Sequence, residues 1–231
     1  MGDLEQLKYL LLATALSFSV PLHAQPLPGN ERQKSPVYFG ISGGIASNVL
    51  VGSEIDLQKK VYNNSMSPVK GPMFSVFLKN EILPRLYLKW EATYIRKGNN
   101  SLNNALWNLN VEYVSIPVKI GFQPINFANV SSDFQLGFEM GASFNLEQGK
   151  GTDNLAKAYA AAYNSKVNRW AISALAGANM EYRIFPHRIL FLNCTWYHDL
   201  SPLLSYQNGN ANYKANNQGW MFTGGVMFRL H

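Results

Sequence analysis

Lys89, Glu91, Lys119, Glu139, Glu181, Arg183 and Arg229 each sit in a stretch where apolar residues recur at every second position. Successive side chains of an extended strand point to opposite faces, so these seven charges share a face with small and polar neighbours. Enclosed where little water reaches, such charges must pair, because an isolated buried charge is strongly destabilising. Their chemistry is either an ion-pair and hydrogen-bond network that fills an interior or the lining of a narrow polar passage. Catalytic sets are thin by comparison. His198 and Asp199 beside Ser201 offer a base, an orienter and a nucleophile on paper. Adjacent strand residues face opposite ways, so the three cannot align as a triad, and the pair reads as a strand end. His23, His187 and His231 show no metal-ligand spacing, and Cys194 is the only cysteine, which rules out an intramolecular disulfide or a cysteine-based zinc cluster. Gly40, Gly43 and Gly44 are not followed by the Gly-Lys-Ser/Thr of a phosphate loop and read instead as relief from crowding. No catalytic, cofactor-binding or metal set is expected, and the chain does not read as an enzyme. A lipid-modifying activity is the weaker alternative.

The elements that must position these charges are strands. Over 134–147, Phe134, Leu136, Phe138, Met140, Ala142, Phe144 and Leu146 alternate strictly with Gln135, Gly137, Glu139, Gly141, Ser143, Asn145 and Glu147. The same split recurs over 86–97, 113–122, 170–183 and 220–230, and more weakly over 37–46, 73–80 and 188–200. Composition agrees. The 231 residues are 47% hydrophobic and 13% aromatic but only 15% charged, against about a quarter charged in soluble domains. Mean hydropathy is nevertheless −0.13, and after Val20 no apolar run approaches the ~20 residues of a membrane helix. An eight-stranded antiparallel up-and-down transmembrane β-barrel satisfies all of this, its apolar face toward lipid and its polar face toward the lumen. Trp90, Tyr94, Trp170, Tyr182, Trp196 and Trp220 are candidates for interfacial girdles.

The connections alternate in length as such a barrel requires. The segments 47–71, 98–109, 148–168 and 201–217 are long and polar, whereas the turns at 82–84 and 185–187 are short and 124–132 is intermediate. The one stretch that reads as a helix is 155–163, Ala-rich and inside a long connection. With Tyr206 and Tyr213 it offers surface either for loop packing or for an extracellular or envelope protein. Residues 1–24 read as a signal peptide, with an apolar core at 10–20, Pro21 and a cleavage point after Ala24. Residues 25–36 form a flexible periplasmic lead-in, and 37–231 form one barrel domain with periplasmic termini. The net charge of +6 comes from scattered lysines and arginines, which excludes a nucleic-acid surface. Outer-membrane lipids and lipopolysaccharide phosphates are the expected neighbours.

Tyr113-Val114-Ser115-Ile116-Pro117-Val118-Lys119 and Glu91-Ala92-Thr93-Tyr94-Ile95-Arg96-Lys97-Gly98 resemble the Tyr-x-x-Ile-Pro and Tyr-x-x-Lys-Gly strands of the PorT-like outer-membrane β-barrel family of Bacteroidetes-type bacteria. The opening Gly40-Ile41-Ser42-Gly43-Gly44 and the Ala24-Gln25 junction fit the same pattern, whereas the final Phe228-Arg229-Leu230-His231 departs from the terminal aromatic of many outer-membrane proteins. The resemblance implies a small barrel in the outer membrane of a Gram-negative bacterium. Its functional reading is a structural or interaction scaffold with a plugged polar lumen and long extracellular loops, or alternatively a narrow pore or secretion-associated barrel.

Overall fold

The computed structural model describes residues 35–63, 66–83, 85–101, 109–126, 133–153, 166–208 and 211–230. The expected signal peptide, most of the lead-in and the 155–163 helix lie outside these residues. Eight long strands form the wall: β1 (Val37–Val51), β2 (Met66–Leu83), β3 (Leu86–Ser101), β4 (Leu109–Asn126), β5 (Phe134–Asp153), β7 (Trp170–Phe185), β8 (Arg188–Asp199) and β10 (Ala211–Arg229). Each pairs antiparallel with its neighbour, and β10 returns to β1 over Tyr38↔Arg229 to Val51↔Asn216, closing the sheet. Closure matters physically because lipid offers nothing to satisfy an open strand edge. Beyond the wall, the short strand β9 (Leu204–Asn208) pairs with β10, and β6 (Lys166–Val167) pairs with β9.

The alternation read from the sequence sets the two faces. Leu136, Phe138 and Met140 of β5 are exposed outward while Glu139, Ser143 and Asn145 are buried inward. On β10, Trp220 and Phe222 face out, while Asn217 and Met221 face in. About ten residues at ~3.3 Å each, tilted by ~40°, cover ~25 Å, the height of a lipid-facing apolar band. The strands run further than the sequence split suggests. Parts of 47–71, 98–109, 148–168 and 201–217, expected as loops, are instead strand. β2 already begins at Met66, β3 continues to Ser101, β5 to Asp153, and β9 and β10 form a hairpin. Their polar composition hid them, because beyond the lipid band both faces can meet water and the apolar-polar alternation ends.

One end of the barrel carries the tight turns between β2 and β3 and between β7 and β8. There the Leu230 N–H donates to the Val37 carbonyl at 2.8 Å, so both described chain ends lie at this rim. The opposite end carries the long connections and a helix, α1 (Ser53–Tyr62), absent from the sequence expectation. Its signals are electrostatic rather than amphipathic: Glu54 and Asp56 stand in the first turn and Lys59 and Lys60 in the last, matching the helix dipole. Gly52 makes the entry. Its φ is +126°, and a Cβ there would lie 2.4 Å from the Lys214 carbonyl oxygen. The Lys214 N–H donates to Ser53 Oγ at 3.0 Å, fastening the helix start to β10. Gly52→Ala is therefore expected to cost about 1–3 kcal/mol of local stability. Limited proteolysis should show new cleavage around α1 while the barrel's unfolding midpoint barely moves.

Candidate functional site: a charge-filled lumen

β2, β3 and β4 place three lysines abreast on the inner face, with Lys79 opposite Lys89 and Lys89 opposite Lys119. Like charges side by side repel, so each ammonium needs an anion from elsewhere. Glu91 on β3 and Glu139 on β5 supply the centre. Lys89 Nζ lies 2.7 Å from Glu91 Oε1 and 3.8 Å from Glu139 Oε2, and Lys119 Nζ lies 3.1 Å from Glu91 and 2.8 Å from Glu139. The four groups form a closed alternating ring in which each lysine touches both carboxylates.

Lys79 reaches across the lumen to β7, its Nζ donating to both oxygens of Glu181 at 2.7 and 2.8 Å. Asn179 Nδ2 steadies this pair, donating to Glu181 Oε1 at 3.3 Å and to the Tyr87 hydroxyl at 2.6 Å. Lys79 also lies over the Tyr87 ring, 4.3 Å from its centroid. Toward the long-loop end Lys97 meets Asp199 of β8 at 2.7 Å. Ser173 donates to the same Asp199 oxygen, Asn217 Nδ2 donates to the other at 3.3 Å, and Asn145 Nδ2 donates to Ser173 Oγ at 2.8 Å. Lys79, Lys89, Lys97 and Lys119 thus face Glu91, Glu139, Glu181 and Asp199, all of them buried. These eight groups balance one another, four ammonium groups against four carboxylates.

Apolar groups close on this polar core from both sides. Near the short-turn end Tyr38, Phe77, Ile189, Phe191 and Met227 cluster, with the Phe77 and Phe191 rings edge-to-face at 5.2 Å. Near the long-loop end Leu50, Val111, Leu203 and Ala215 pack with Ile55 of α1. Between them a cavity of about 20 Å³, lined in part by Ser42, Ser75, Thr93 and Ser115, has room for about one water. Such filling needs glycines. A Cβ on Gly121 would lie 2.0 Å from the Tyr87 ring, so only glycine lets that ring lie across the lumen.

Of the seven charges expected on the inner face, Lys89, Glu91, Lys119, Glu139 and Glu181 come together. Arg183 and Arg229 keep the same face two residues further on, where they line a pocket with Tyr38 and Ile189. Both lie at the short-turn rim, past the last buried inward residues Glu181 and Met227, and are solvent-exposed. Sequence reasoning missed Lys79 and Asp199 as members and left Lys97 outside the set. Phe77, an aromatic at an inward position, obscured the alternation around Lys79. Asp199, expected as a strand end, is fully buried. His198 points outward and stacks on Trp196 with centroids 6.0 Å apart, and Ser201 Oγ accepts the Ile172 N–H at 2.8 Å, so the three supply no triad.

A closed eight-stranded antiparallel barrel with an apolar outer band and a polar, packed interior is the fold of small outer-membrane proteins. The outer membrane protein OprG from Pseudomonas aeruginosa superposes with a TM-score of 0.53 at 11% identity, covering 87% of this chain and 100% of that one. Neisserial surface protein A matches with a TM-score of 0.49 at 11% identity over 84% and 97% of the two chains. The outer membrane protease OmpT from Escherichia coli matches at 0.45 and 9% identity over 88% and 99%. The OprG likeness shows the fold alone. No family model and no curated protein sequence matches the chain.

Proposed function

We propose that the chain is an integral outer-membrane protein with a closed lumen, serving as a structural or interaction scaffold that holds its long-loop end outside the cell and its termini in the periplasm. The observation that carries this reading is the charge-balanced set of four lysines and four carboxylates bonded across the lumen from β2 to β8. A conducting pore needs sites an ion can enter and leave, whereas these charges are already committed to one another. The strands past the lipid band, capped by α1 and the β9–β10 hairpin, give a rigid platform suited to an extracellular or envelope protein. Lipopolysaccharide and the other outer-membrane lipids are its remaining partners. The Tyr-x-x-Ile-Pro and Tyr-x-x-Lys-Gly strands favour placing it with the PorT-like barrels of Bacteroidetes-type bacteria. A role in secretion is not part of the proposal.

Two measurements test this. The protein extracted from the outer-membrane fraction should migrate differently on gels before and after boiling, as intact barrels do. Reconstituted into planar bilayers, the wild type should be electrically silent. A steady unitary conductance that changes with Glu139→Gln or Lys119→Met would instead establish a pore and remove the scaffold reading.

A further inference from the structure

We propose that the short-turn mouth of the lumen binds the C-terminal carboxylate of a short peptide, held by Arg183 and Arg229. The proposal rests on the outer-membrane reading for its orientation and names a partner at the end opposite the long loops. The pocket measures about 390 Å³ and is lined by Tyr38 of β1, Arg183 of β7, Ile189 of β8 and Arg229 of β10, with Ile184 and Pro186 at the β7–β8 turn. Strand register brings the two guanidinium groups there. Arg183 is opposite Ile189, and Ile189 is opposite Met227. Arg229 stands two residues beyond Met227 toward the rim, opposite Tyr38. The two arginine backbones are thus two strand spacings apart, roughly 10 Å, and differ by about 7 Å along the strands. Both side chains are solvent-exposed, whereas Tyr38 and Ile189 are each 6% exposed and form the floor. Deeper in the lumen Lys79 is already bonded to Glu181, so an anion entering from this end meets the arginines first.

Charge and shape select the ligand. The described lining sets two guanidinium groups against one carboxylate, that of Asp133. Asp133 stands opposite Arg183, whose N–H donates to the Asp133 carbonyl at 2.6 Å. A planar carboxylate matches the fork of an arginine and can be shared between two of them. With its carboxylate there, a peptide turns its N–H groups toward Asp133 and its last side chain toward Ile184 and Ile189. It therefore uses the cationic, acidic and apolar parts of the lining together. A phosphate dianion uses only the cations and brings a second negative charge close to Asp133. The volume lies at the lower end of the range for ligand pockets, ~300–1,000 Å³, which suits a peptide end and no larger group. In barrels of this class the short turns face the periplasm, so the peptide is a periplasmic one.

The test titrates the refolded full barrel in detergent with three probes, each followed by isothermal titration calorimetry. They are the acetylated dipeptide acetyl-Ala-Leu as its free acid, the same dipeptide as its C-terminal amide, and inorganic phosphate. The free acid should bind saturably and about 10-fold more tightly than either of the others, the difference expected for one charge-assisted contact. Arg183→Ala and Arg229→Ala should each weaken the acid about 10-fold. Both side chains are exposed, so the barrel should keep its fold in either variant. Equal affinity for acid and amide, phosphate bound as tightly as the acid, or unchanged acid binding in either arginine variant would overturn the site. Heat-shifted gel mobility on the same samples separates the two levels of the reading. A folded barrel that ignores the acid sinks this site alone, whereas a chain with no heat-modifiable form sinks the outer-membrane assignment.

Discussion

Glu139→Ala should be the most damaging single substitution in the lumen, costing about 3–5 kcal/mol, as expected for removing one partner of a buried ion pair. Glu139 is buried and sits within 2.8 Å of Lys119 and 3.8 Å of Lys89. It also accepts from Thr195 Oγ1 at 3.4 Å. Without it the ring keeps two ammonium groups and only Glu91 between them. Urea-induced unfolding of the refolded barrel measures the loss. The companion double variant Lys119→Met with Glu139→Leu removes one charge of each sign, restores neutrality and refills the space with apolar groups. It should regain most of the loss, giving a coupling energy of about 2–3 kcal/mol in a double-mutant cycle. A loss below about 1 kcal/mol for Glu139→Ala, the range of solvent-exposed pairs, would mean that water enters the lumen and that the charges are not sealed inside.

The sequence is most legible where lipid imposes strict alternation. All eight wall strands coincide with stretches whose apolar and polar residues alternate, and Glu139 could be assigned inward from Phe138 and Met140 alone. Beyond the lipid band the rule lapses, which is why the outer parts of β2, β3, β5 and β10 and the helix α1 did not stand out. The candidate site was half legible for a related reason. Alternation says which residues share a face but not how deep each lies along the barrel axis. Arg183 and Glu181 share a face two residues apart, yet one is exposed at the rim and the other is buried against Lys79. Nor does alternation say who meets whom. Lys79 and Glu181, and Lys97 and Asp199, are each 102 positions apart and meet only because the sheet closes on itself. Cross-lumen partners are a property of closure and strand stagger, which no local window contains.

Depth along the outer wall gives the second large effect. Phe138 and Met140, 64% and 65% exposed, lie in the apolar run of β5 that alternates over 134–146. On a water-soluble protein, replacing such a residue by arginine would shift stability by no more than about 0.5 kcal/mol. Facing hydrocarbon inside the apolar band, Phe138→Arg should cost about 2–4 kcal/mol, because the guanidinium must be desolvated or the bilayer thinned around it. The same change at Gln218, two residues beyond Trp220 on the long-loop side of β10, should cost only about 0–1 kcal/mol, since headgroups and water reach that level. Denaturant titration of both variants refolded into phospholipid vesicles measures the contrast directly. Equal and small penalties at the two positions would mean that this face does not meet lipid. The steep gradient from Phe138 to Gln218 is the outcome that the exposed phenylalanines, leucines and methionines of the wall require, because no aqueous surface would tolerate so continuous an apolar band.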